Sequence, residues 1–271
     1  MKLPTLSILI IIGSLQPVFA AGFEVLAPHR AVYEVKMLDA EERSGINTMR
    51  GRIVYEVKGG ACEGISIQYR FVTQIDNGRD VFVTDQRSAS FESADGNEFS
   101  FSTNSFVNDQ PDQEIKGSAT RIGDGLKVVH DGKAPKTLNL SNGLFTSTHL
   151  LGVMESAQAG ESFVSHEVFD GSADADQVMN TASVIGREKI LTELFEGEGA
   201  IGNLPKLPAW PVTISYFNQN QDNTAESLPV YEASFLLYKN GVTRDLTMRY
   251  SDYSLKATLK ELEFFDREAC H

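Results

Sequence analysis

Apolar residues recur at every second position along most of this chain, and that period constrains the fold more than any other feature. Ala31, Tyr33, Val35 and Met37 fall on one side, with charged or polar residues between most of them. Successive side chains of a β-strand point to opposite faces, so this alternation predicts a half-buried strand. Ile53, Tyr55 and Val57 repeat it, and Ile65, Ile67, Tyr69, Phe71 and Thr73 make the longest alternating run. Reversal signals separate the runs. Gly59-Gly60, Asp76-Asn77-Gly78, Asp95-Gly96, Gly123-Asp124-Gly125 and Asp131-Gly132 all tolerate the positive φ of a tight turn, and Asn240-Gly241 reads as a two-residue hairpin loop. Further strands are predicted at 81–84, 88–92, around Phe99 and Phe101, and at 113–121, 126–130, 161–169, 177–187, 210–217, 229–239, 242–251 and 254–265.

One stretch breaks the rhythm. Within 146–159, Leu150, Leu151, Val153, Met154 and Ala157 stand at helical spacing, Thr146 or Ser147 is available as an amino-terminal cap, and Gly160 supplies the stop. This apolar stripe most simply packs on the concave face of a sheet, although a lid over a ligand would read the same way. Many strands, short turns and one main helix predict an all-β, single-domain antiparallel sheet. It must curl into a half-open barrel or close, because a flat sheet of this width would be unstable.

The first twenty residues read as an export signal. Lys2 gives a positive start, residues 6–13 form an apolar run, and Val18-Phe19-Ala20 offers small side chains one and three residues before a cut after Ala20. The run is too short to span a bilayer. The expectation is a cleaved signal peptide over 1–20 and a soluble periplasmic domain over 21–271 that does not span the membrane. With 24 basic and 37 acidic residues the chain carries a net charge of −13, which repels phosphate backbones, so nucleic acid is not an expected partner.

Two cysteines, Cys62 and Cys270, lie in the exported part. An oxidising compartment favours joining them. A pair of free redox thiols is the alternative, and it lacks a Cys-x-x-Cys spacing. His29, His130, His149, His166 and His271 are not paired at metal-ligand spacing, so neither a metal nor a cofactor is expected. There is no Gly-x-Ser-x-Gly elbow, Walker loop or dinucleotide fingerprint. The acidic stretch 170–176 superficially resembles a calcium loop but lacks the turn glycine and distal glutamate, and a hairpin turn explains it better. No catalytic residue is therefore expected. An envelope-polymer hydrolase would need two carboxylates in contrasting environments, and the sequence offers no such pair. Leu150 and Met154 of the helix, with Trp210 and Tyr216 of a later strand, are the candidate lining of a groove for a lipid, peptide or partner; a packed core would use the same residues.

Taken in order, His29-Arg30-Ala31-Val32-Tyr33-Glu34-Val35, Gly51-Arg52-Ile53-Val54-Tyr55-Glu56, Ala61-Cys62-Glu63-Gly64, Phe169-Asp170-Gly171, Trp210-Pro211-Val212-Thr213-Ile214-Ser215-Tyr216-Phe217 and the late Cys270 carry a resemblance. The chain resembles the EipB family of cell-envelope integrity proteins. That resemblance implies a β-spiral around a helix, similar in shape to the lipoprotein carriers LolA and LolB, and a disulfide joining Cys62 to Cys270. It further implies a non-enzymatic role in envelope integrity under stress and association with a periplasmic tetratricopeptide-repeat protein. A lipid or lipoprotein carrier is the alternative within the same reading.

Overall fold

Inward-facing apolar residues and outward-facing charges alternate along β1 (His29–Ala40), where Ala31, Tyr33 and Val35 are buried and Arg30, Glu34 and Lys36 are exposed. The structure is a computed structural model and describes residues 22–131, 135–171, 175–199, 201–202, 204–219 and 228–267. The expected export segment 1–20, Gly132 of the expected turn, residues 172–174 of the calcium-like stretch, His271 and Cys270 lie outside the described residues.

After β1 come β2 (Thr48–Gly60), β3 (Gly64–Asp76), β4 (Val81–Glu92), β5 (Glu98–Val107), β6 (Gln110–Ile122), β7 (Gly125–Asp131) and β8 (Lys136–Ser141). The helix α1 (Thr146–Gln158) follows, then β9 (Phe163–Val168), β10 (Met179–Ile185), β11 (Ala209–Asn218), β12 (Tyr231–Tyr238), β13 (Thr243–Arg249) and β14 (Tyr253–Phe264). All fourteen strands belong to one sheet in the order β8-β7-β6-β5-β4-β3-β2-β1-β14-β13-β12-β11-β10-β9. Every named pair is antiparallel, and the β1–β14 pairing joins the two arms of the meander, with Ala31 opposite Leu262 and Val35 opposite Ala257.

The sheet is open, but its two edges approach each other. Leu144, just after β8, forms a parallel bridge with Val168 at the end of β9. The Leu144 N–H donates to the Glu167 carbonyl at 2.7 Å, and the Phe169 N–H donates to the Leu144 carbonyl at 2.9 Å. Above this contact, Phe99 of β5 stacks on Phe145 at 5.0 Å between ring centroids, and Phe101 meets Phe169 edge-on at 5.7 Å. These contacts lie within the favourable range for aromatic pairs. A sheet whose fifth strand touches the segment after its ninth has curled around its own concave side.

Helix α1 lies on that concave side. Leu151, Val153, Met154 and Ala157 pack with Val57 and Ile65 from one arm and with Ile185, Trp210, Val212 and Leu237 from the other. The expected stop is at Gly160, whose φ of 77° suits a residue without a Cβ. The expected cap is different. Phe145 occupies the cap position and makes no side-chain cap bond. Glu92, at the end of β4, supplies the acceptor instead. Its Oε2 accepts the Ser147 and Thr148 N–H groups at 2.8 and 3.2 Å, and its Oε1 accepts the Thr148 hydroxyl. A carboxylate at a helix amino terminus satisfies orphan donors and meets the positive end of the dipole.

Burial holds the Glu92 carboxyl above the usual carboxylate range, against the opposing pull of the Thr148 and Ser147 contacts. A carboxyl whose pKa is raised on folding binds its proton more tightly in the native state. Stability linked to Glu92 therefore falls as pH rises from the unfolded carboxylate range through the folded value. Glu92→Gln keeps an acceptor for the two N–H groups and is expected to cost less than about 1 kcal/mol while flattening that part of the pH slope. Glu92→Ala leaves the buried donors unpaired and is expected to cost about 2 kcal/mol. Urea unfolding between about pH 4 and 7 measures both; a slope unchanged in the Gln variant would refute the assignment.

Three local departures from the sequence reading have identifiable causes. The expected strands at 81–84 and 88–92 are one strand, β4, because β3 pairs with it without interruption from Ile65–Glu92 to Asp76–Val81. Strand β8, not anticipated, is a short edge strand with only Leu138 and Leu140 packed against the phenylalanine cluster. The β12–β13 loop has three residues rather than two: the Tyr238 N–H donates to the Val242 carbonyl and the Gly241 N–H to the Tyr238 carbonyl, both at 2.9 Å, with Gly241 at φ 84°. A three-residue loop ending in a left-handed glycine matches the twist of the flanking strands.

Candidate functional site

The curl leaves a partly open cavity of about 350 Å³ beside α1. Its apolar walls include Ile53, Ile65, Ile67, Leu246 and Met248, from strands on both sides of the β1–β14 seam. Four tyrosines from four strands, Tyr55, Tyr69, Tyr216 and Tyr231, also line it. Tyr216 and Tyr231 lie 5.6 Å apart, and the aromatic chain continues from Tyr231 to Tyr250 at 5.0 Å and on to Tyr253 at 4.7 Å. Tyr33, also in the wall, is anchored by donating its hydroxyl to the Thr243 carbonyl at 2.8 Å. Largely apolar walls with a few placed polar groups are the composition of small-molecule sites.

Burial sets the electrostatics of this space. It raises the phenol pKa values of Tyr55, Tyr69, Tyr216 and Tyr231, and it pushes Tyr33 up to about 12. The phenols are therefore neutral hydrogen-bonding groups at physiological pH. His149 of α1 reaches the cavity, and its pKa is lowered to about 4, mainly by burial and further by the neighbouring His166. His29 is also lowered by burial, which the Ala27 carbonyl opposes. Asp170 is the one carboxylate among the described lining residues, and it is already engaged with a partner. Among the described residues, no lysine or arginine lines the cavity.

The EipB-like family model matches residues 20–266, which covers nearly all of the described structure. The chain belongs to the EipB-like family. A curated relative, the cell envelope integrity protein EipB of Brucella abortus (strain 2308), is 39% identical over 249 residues, covering 91% of this chain and 87% of that protein. Among solved structures, a β-barrel-like protein of a domain of unknown function from Brucella abortus superposes with a TM-score of 0.83 at 36% identity. That match covers 89% of this chain and 99% of the other.

In this EipB-like chain the four expected groove residues divide into two pairs. Leu150 and Tyr216 line the cavity. Met154 and Trp210, 1% and 4% exposed, belong to the apolar cluster between α1 and the sheet and are not among the cavity's lining residues. The sequence reading gives Tyr55, Tyr69 and Tyr231 only as strand residues. Their inward positions in an alternating run are the signal that could have marked them. The structure also brings His149 and His166 together, with ring centroids 5.4 Å apart, and places the Thr181 hydroxyl 3.4 Å from His149 Nε2. Among the described residues no group of three or more His, Cys, Asp or Glu side chains could hold a metal ion. No helix among them is long and apolar enough to cross a membrane.

Cys62 stands in the β2–β3 turn and is not free. The carboxyl-terminal segment comes close to that end of the sheet. The Phe265 N–H donates to the Pro28 carbonyl at 2.9 Å, and Lys58 Nζ lies 5.2 Å from the centre of the Phe265 ring.

Proposed function

We propose that this chain is a non-catalytic protein of the periplasm that supports cell-envelope integrity by holding a hydrophobic ligand in its partly open cavity. The observation that carries this reading is the unfilled space itself. α1 fills part of the concave side, and about 350 Å³ remains, walled by apolar and tyrosine side chains. The name of the Brucella abortus relative supports the envelope role, and the amino-terminal signal reading supports the compartment. A disulfide between Cys62 and Cys270 belongs to the same proposal, since it closes the domain in an oxidising compartment. A periplasmic tetratricopeptide-repeat protein is the partner that the family resemblance implies. A lipid or lipoprotein carrier, as the expected likeness to LolA and LolB would have it, is the second reading. The unfilled cavity favours a lipid carrier over a pure scaffold, and its roughly 350 Å³ gives little room for the several acyl chains of a lipoprotein.

Fluorescence titration with N-phenyl-1-naphthylamine, an uncharged apolar probe, tests the cavity. Saturable binding in roughly the micromolar range is expected. Ile67→Trp, which fills the space, should weaken it at least about tenfold with the thermal midpoint little changed. The same variant should fail to restore detergent resistance to a strain lacking the gene, although it accumulates normally. Absence of saturable binding, or full rescue by Ile67→Trp, would leave only the partner-binding scaffold.

A further inference from the structure

We infer that the cavity selects an uncharged single-chain amphiphile and discriminates against fatty acids and fatty amines of the same chain length. This inference rests on the ligand-binding reading above and specifies its ligand class. Size gives the first argument. A space of about 350 Å³ is at the small end of ligand pockets and suits one apolar chain with a compact head better than a two-tailed lipid.

Charge gives the second. A carboxylate head would enter a space with no lysine or arginine among its described lining residues and with a carboxylate, Asp170, already there. A burial of that kind leaves an ion without a counter-charge. An ammonium head would find a single described carboxylate, Asp170, which already has a partner, and would give up its hydration to reach it. Burial disfavours the charged forms of the two described histidines of the lining, His29 and His149, which makes them poor counter-charges for a carboxylate. What the walls do offer is a set of neutral phenols on four different strands, Tyr55, Tyr69, Tyr216 and Tyr231. A phenol both donates and accepts, so it suits a hydroxyl, ester or amide head. The apolar residues Ile53, Ile65, Ile67, Leu246 and Met248 are left to contact the chain.

Calorimetric titration of the full exported domain with three twelve-carbon amphiphiles separates the possibilities. They are 1-monolauroylglycerol, laurate and dodecylammonium, each kept below its micelle-forming concentration at neutral pH. The monoglyceride should bind at least about tenfold more tightly than either charged analogue. Tyr69→Phe and Tyr216→Phe each remove one hydroxyl while keeping the ring, and should weaken the monoglyceride about threefold to tenfold without altering the laurate signal. Laurate or dodecylammonium binding as tightly as the monoglyceride would overturn this inference and leave the cavity reading standing. So would monoglyceride binding that neither phenylalanine variant changes. Failure of all three amphiphiles, together with failure of the naphthylamine probe, would overturn the cavity reading itself.

Discussion

Replacing Arg244 with methionine is expected to remove about 3–5 kcal/mol of folding stability and to lower the thermal midpoint by roughly 10 °C. Arg244 is fully buried. Its Nε donates to Glu198 Oε1 at 2.6 Å, its Nη2 pairs with Glu198 Oε2, its Nη1 donates to the Tyr238 hydroxyl at 3.0 Å, and Nη2 also reaches the Glu193 carbonyl at 2.7 Å. The Phe195 ring covers the guanidinium at 4.2 Å. Glu198 and its neighbours belong to the long connection between β10 and β11. That connection is also tied down by the Gly199 N–H on the Leu259 carbonyl and by Ile201 and Leu204 in the largest apolar cluster. Desolvating the pair is costly, so its net worth over an apolar pair is small. The large effect comes from stranding Glu198 once its partner is gone. The double variant Arg244→Met with Glu198→Gln should therefore recover more than half of the loss. Urea unfolding measures both, and hydrogen exchange should show 187–199 opening first in the single variant. A loss under about 1 kcal/mol would mean that the pair is solvated in solution.

That buried arginine marks the limit of what the sequence could reveal. The strands were legible because alternation is a local property, and Ala31, Tyr33 and Val35 are buried where the period puts them. Helix α1 was legible for the same reason. Arg244 reads as an exposed strand residue between Thr243 and Asp245. Its burial depends on a bulge in β13, where Ser234 faces Thr247 but Leu236 faces Arg244 and Asp245 takes a φ of 58°. The extra residue turns Arg244 to the face opposite Leu246 and Met248, and the β10–β11 connection then covers it. Glu92 is a second case, since its acceptor role at α1 links residues 55 positions apart that no periodicity relates. The cavity is a third. Each tyrosine of its wall lies in an ordinary run, and only the curl of the sheet makes them neighbours, so Leu150 and Tyr216 could be anticipated while the space between the two arms could not.

Cys62→Ser is the other substitution expected to have a large effect, with a loss of up to about 5 kcal/mol under oxidising conditions. The proposed bridge to Cys270 closes a loop of roughly 200 residues, and a loop that long removes much of the freedom of the unfolded chain. The fold brings the end of β14 toward the side of the sheet on which Cys62 stands. Cys62 lies in the turn after β2, β1 separates β2 from β14, and His29 is opposite both Val57 and Phe264, so the ends of β2 and β14 point the same way. Arg267 has already crossed toward the amino-terminal segment, where its Nη2 lies 3.5 Å from the Leu26 carbonyl. Because the loss arises in the unfolded state, far-ultraviolet circular dichroism of the native variant should be unchanged. Cys62→Ser, Cys270→Ser and the double variant should all lose the same amount, and reducing the wild-type protein should match them. Losses that add in the double variant would mean that each cysteine acts separately, and two reactive thiols in urea-unfolded, unreduced protein would remove the bridge altogether.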